Sequence, residues 1–150
     1  MFRNATINSY INNTFIIDAY DSSRIFEGTK FNLNNRRLNI TLTENVVILN
    51  NAFRNSNDAL INIDINNDSN IIDMDYCFYQ CRGNVLINKK EKDHIYLKQL
   101  QTAKYAFSDA TAISSDTFPT PSSSEGTTEN EDNINLFKGC TNLKYIDKIF

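Results

Sequence analysis

NVVILNNAFRNSNDALINIDI (45–65) and NIIDMDYCFYQCRGNVLINKK (70–90) read as two copies of one pattern. Shifted by 25 residues, Val46 meets Ile71, Val47 meets Ile72, Ala52 meets Cys77, Phe53 meets Phe78, Ser56 meets Cys81 and Leu60 meets Val85. Self-similarity at such a period marks a supersecondary unit that cannot bury its apolar face alone and must stack on its neighbours.

The pattern extends in both directions. A small residue followed by Phe returns as Ala106 and Phe107, with Ala110 three positions on. Phe137 is followed by Cys140, Leu143 and Ile146, and a weaker copy starts at Phe26, with Thr29 after it. The phenylalanines at 26, 53, 78, 107 and 137 are spaced by 27, 25, 29 and 30 residues. Stacking such units predicts a core ladder of Phe53, Phe78, Phe107 and Phe137, with Cys81 and Cys140 at the small position beside it. A bulky ring next to a small residue suits a tight inside corner, where a second large side chain would overpack.

After each corner the chain alternates: Leu38, Ile40 and Leu42, then Ile61, Ile63 and Ile65, then Val85 and Ile87. A period of two predicts short strands, half buried, pairing from coil to coil. The first apolar residue of the strand comes seven after Phe53 and Phe78 but six after Phe137, so one corner carries an extra residue.

NIIDMDYCFYQC and LFKGCTNLKYID resemble the BspA-type leucine-rich repeat of bacterial surface proteins. The matching positions are Ile71, Ile72, Met74, Cys77, Phe78 and Cys81 in one copy, and Phe137, Cys140, Leu143 and Ile146 in the other. Ser56 and Ala110 stand where the pattern has cysteine. The resemblance covers 45–90 and, with interruptions, 97–150. It implies a β-rich α/β fold, an irregular leucine-rich-repeat solenoid of about four coils, and a scaffold for adhesion or protein contact with no catalytic residue to carry over.

Residues 1–44, with short apolar runs broken by Asn-rich and Asp/Ser-rich turns, are expected to form an N-terminal β cap on a solenoid spanning 45–150. TAISSDTFPTPSSSEGTTENEDN (111–133) holds both prolines and many Ser and Thr, and is expected to be an inserted loop within a single compact domain. The whole chain of 150 residues is long enough for one real core.

The formal charge of −3 gives no electrostatic footprint for nucleic acid, and no apolar run reaches the roughly 20 residues of a membrane helix. Neither partner is expected. There are 23 Asn and 18 Ile, both favoured by AT-rich codons, so composition records a genome as much as a function.

Candidate chemistry is sparse. Cys77, Cys81, Cys140 and His94 lack the paired spacing of a tetrahedral metal set, and the core ladder accounts for the thiols without a ligand. Asp64, Asp68, Asp73 and Asp75 lack an EF-hand frame and read as turn residues that hydrogen-bond the backbone. Four glycines cannot write a phosphate-cradling loop, and no base stands at a known spacing from a nucleophile. No cofactor, metal or catalytic residue is expected.

Tyrosine offers large contact area at low entropic cost, which makes Tyr79, Tyr96 and Tyr145 the candidate partner-binding residues. The expected function is a non-enzymatic protein-interaction or assembly module. Its partner is another protein or a second copy, met through a C-terminal strand expected to lack a cap. A structural part of a larger particle, such as a phage capsid decoration, fibre or tail protein in a virion, fits first; a BspA-type adhesin fragment at the bacterial cell surface is the alternative.

Overall fold

The computed structural model describes residues 1–8, 14–65, 69–87, 97 and 99–113, and the backbone of 145–146. Among the described residues eight strands follow one another: β1 (Thr6–Asn8), β2 (Thr14–Ile17), β3 (Lys30–Asn32), β4 (Leu38–Leu42), β5 (Ala59–Ile65), β6 (Gly83–Ile87), β7 (Thr102–Ala103) and β8 (Tyr145–Ile146). All their pairings are parallel. The main sheet runs β2-β4-β5-β6, one strand from each successive coil, and smaller sheets pair β1 with β3 and β7 with β8. The molecule is an all-β parallel solenoid of about three turns.

The alternation sets which way each strand faces. In β5, Ala59, Ile61, Ile63 and Ile65 are buried, while Leu60, Asn62 and Asp64 lie half-buried on the outer face. Register carries this across the sheet: Leu38, Ile61 and Val85 are opposite one another, as are Ile40, Ile63 and Ile87, and all six are buried. A slip by one residue would turn every one of them outward. On the outer face Asn62 Nδ2 donates to Asn39 Oδ1 at 2.8 Å, an amide pair that links β4 to β5.

The expected α/β character is corrected: there is no helix among the described residues. The reason lies in the corners. The residues two before and two after each core phenylalanine have positive φ: Arg24 and Gly28 around Phe26, Asn51 and Asn55 around Phe53, Tyr76 and Gln80 around Phe78, Tyr105 and Asp109 around Phe107. Two left-handed residues within five break any right-handed helical run. The corner N–H groups bond the next coil instead. Phe26 N donates to Ala52 O at 2.8 Å, Phe53 N to Cys77 O at 2.7 Å and Phe78 N to Ala106 O at 2.7 Å.

The coil count of about four is likewise reduced to about three. The corner offset read against Phe137 lies outside the described residues, but the match of Leu60 with Val85 is corrected: Ser56 and Cys81 keep the shift of 25, while Ile61, not Leu60, pairs with Val85. Asp58, at φ 55, takes up the difference, with Leu60 N closing a tight turn onto Asp58 O.

The cross-section changes along the axis. In the first two coils β1 and β3 add a third side, Thr6 to Lys30 through Asn8 to Asn32. The third coil meets this side with a single bridge, Asn57 to Lys30, and then turns directly into β5. On another side single bridges run from Asp21 to Ile48, Asp73 and Thr102, and Thr102 pairs in turn with Tyr145.

Candidate functional site

The corners govern both core and surface. Inside, the rings stack: Phe26 on Phe53 at 5.2 Å, Phe53 on Phe78 at 5.1 Å and Phe78 on Phe107 at 5.6 Å between centroids. The planes of the last two pairs lie within 4° and 8° of parallel. Phe2 stacks on Phe26 at 5.4 Å, and its N–H donates to Ile25 O just as Phe26 N–H donates to Ala52 O. Residues 1–44 therefore share one aromatic stack with the coils that follow. Phe137 and Cys140 lie outside the described residues.

Beside the rings run the small residues. Ala52, Cys77 and Ala106 occupy one column, Thr29, Ser56 and Cys81 the other, and all six are buried. Ser56 Oγ lies 3.1 Å from Cys81 Sγ and donates to Phe53 O at 2.8 Å. Both described cysteines are free. Burial pushes the Cys77 thiol well above the usual range, and it pushes Cys81 up to about 11, against a smaller opposing hydrogen bond with Ser56. A thiol held protonated is a poor nucleophile and a poor metal ligand.

Of the aspartates expected in turns, Asp73 makes one, Asp64 lies instead in β5, and Asp68 is outside the described residues. Asp21 Oδ1 accepts from Ser23 N at 2.9 Å and Asp73 Oδ1 from Asp75 N at 2.8 Å, one coil side repeated two coils apart. Asp75 Oδ1 accepts from Lys104 N at 2.7 Å and from Thr102 Oγ1 at 2.5 Å, tying the Phe78 corner to the Phe107 corner. No cluster of three metal-ligating side chains occurs among the described residues.

Outside, the corner carries a second aromatic group. Tyr76 stacks on Tyr105 at 5.1 Å and meets Tyr79 edge-on at 5.7 Å. The Arg54 guanidinium lies over both Tyr76 and Tyr79, 5.7 and 5.4 Å from their centroids. Arg54 Nη1 donates to Asn51 Oδ1 at 3.0 Å, while its buried Nε has no hydrogen-bond partner. Tyr105 remains 46% exposed. In the earlier coils the same edge is charged: Arg3 pairs with Glu27 at 2.9 Å, and Arg24 approaches it at 4.0 Å.

Of the tyrosines named from sequence, only Tyr79 joins this cluster. Tyr96 lies outside the described residues, and Tyr145 is described by its backbone alone, paired in β8. Arg54, Tyr76 and Tyr105 escape a reading by type and spacing, although both tyrosines stand two before a core phenylalanine. Comparison with protein-family models, with curated proteins and with solved structures finds no match.

Proposed function

We propose that the protein is a non-enzymatic scaffold that assembles with copies of itself or docks on another protein through the Arg54, Tyr76, Tyr79 and Tyr105 surface. The observation that carries this reading is the backbone beneath two of these rings. Tyr76 and Tyr105 have φ of 55 and 53, a conformation costing most L-residues about 1–2 kcal/mol. Asn51, at the same corner position one coil earlier, shows that a residue better suited to positive φ is accepted there. Bulky rings kept on a strained turn, Tyr105 half exposed and Tyr76 under arginine, are the residue types that dominate protein interfaces.

The repeat pattern around Phe78 and Cys81 supports a BspA-type leucine-rich repeat, and with it an adhesive role at a bacterial surface. Self-assembly into a larger particle such as a virion is the reading we favour, because a stacked ladder makes a stiff unit with periodic edges. Light scattering across a concentration series tests it. The wild-type chain should form oligomers that weaken about tenfold or more in Tyr105→Asn. A monomer at every concentration contradicts self-assembly. Neighbouring genes on the chromosome separate a particle component from an adhesin.

A further inference from the structure

The loss of the third side after the second coil opens a notch. β3 and the turn after it, residues 30–35, project past the third coil, which pairs with them at the single bridge of Asn57 to Lys30 before cutting inward. The cavity left there measures about 510 Å³, inside the range of small-ligand pockets. Its lining includes Lys30, Asn32, Asn34, Asn35 and Asp58, with Leu60 supplying apolar surface.

The notch is fixed by backbone geometry. Asn34, Asn35 and Asp58 all have positive φ, at 48, 61 and 55. Gly83, which closes the far wall, has φ 128, and a Cβ there would lie 2.4 Å from Ala59 N.

The side-chain chemistry narrows the ligand. Asn32 Nδ2 already donates to Asn8 Oδ1 at 3.0 Å, so the amide that faces a ligand is that of Asn35, with two donors and an acceptor, and Asp58 adds a carboxylate that only accepts. One ammonium and one carboxylate balance in charge, so neither an anion nor a cation is favoured. Strand addition by a peptide is poorly served, since only Phe31 and Asn32 of β3 extend beyond the Asn57 bridge. Hydroxyl groups, each donor and acceptor at once, match mixed amide and carboxylate lining, and an apolar patch beside them suits the C–H face of a sugar ring. We propose that this notch binds a neutral carbohydrate of one or two sugar residues, at a site separate from the tyrosine corner.

Amide chemical-shift mapping on the full chain tests the proposal, with lactose, cellobiose and N-acetylglucosamine as probes. At least one sugar should bind with a Kd on the order of 1 mM and shift amides among residues 30–35, Asp58 and Gly83. The double variant Asn35→Gly, Asp58→Gly keeps the left-handed turns available and removes the two polar side chains. It should bind about tenfold more weakly with the rest of its spectrum unchanged. The proposal is overturned if no sugar moves these amides or if the double variant binds as well as wild type. It is equally overturned if inorganic phosphate or a short extended peptide shifts the same residues more than any sugar does.

Discussion

Phe78→Ala probes the interior at its most connected rung. Phe78 is 2% exposed and stacks on Phe53 at 5.1 Å and on Phe107 at 5.6 Å. Truncating a buried phenylalanine to alanine costs about 3–5 kcal/mol, through lost transfer energy and the cavity left behind. Each aromatic pair adds roughly 0.5–1.5 kcal/mol beyond burial, so two stacks hold roughly 1–3 kcal/mol of the total. Phe78→Leu, which keeps apolar volume and loses both stacks, should cost that smaller amount. The loss on alanine substitution is a large part of the roughly 5–15 kcal/mol that stabilises a typical domain. Urea unfolding followed by far-UV circular dichroism measures it, with tyrosine fluorescence as a second probe, since the chain has no tryptophan. A cost under about 1 kcal/mol for Phe78→Ala, or equal costs for alanine and leucine, would refute a stacked ring at this position.

Four further outcomes follow from the coil geometry. The Cys81 thiol keeps its proton in the fold to about 11 against an ordinary 9.0, so its contribution is full below about pH 9 and is lost as pH rises toward 11. Wild type should therefore lose stability across that window at about 1.4 kcal/mol per pH unit per thiol, more steeply than Cys77→Ala, Cys81→Ser, in urea titrations at matched pH. The same thiols should resist Ellman's reagent until urea unfolds the chain. Gly83→Ala should cost about 1–3 kcal/mol by thermal unfolding, because its Cβ would press on the Ala59 backbone and its φ is positive. Tyr105→Asn should leave stability within about 1 kcal/mol of wild type, the relieved strain offsetting the lost stack, even as association weakens.

The ladder was legible because its two components repeat in type as well as spacing. Phe53 and Phe78 share small neighbours on both sides, and the alternation in 61–65 and 85–87 shows where the chain turns into strand. Phe2 was hidden because Met1 replaces the small residue before the ring, although Ala5 stands three after it, and the stack on Phe26 and the backbone bond to Ile25 reveal its place in the ladder. The absence of helix was hidden for a related reason. The left-handed positions hold Arg24, Asn51, Tyr76 and Tyr105, residues with no common propensity, so the coil-to-coil bonds impose the turn and local preference does not. The notch was equally unreadable, since it arises from what the third coil omits, and Asp58 marks the place only through its φ. Tyr79 was found by residue type alone; its partners Arg54, Tyr76 and Tyr105 come together only when three coils are laid side by side.

The central claim is that rings about 25 residues apart in sequence lie face to face along one axis. Aromatic nuclear Overhauser spectroscopy on chain labelled at phenylalanine tests it most directly. Sequential contacts should run from Phe2 to Phe26, Phe53, Phe78 and Phe107, each ring touching the next and none skipping a rung. Contacts between Phe53 and Phe107 without Phe78 between them, or no contact between Phe53 and Phe78, would contradict the solenoid.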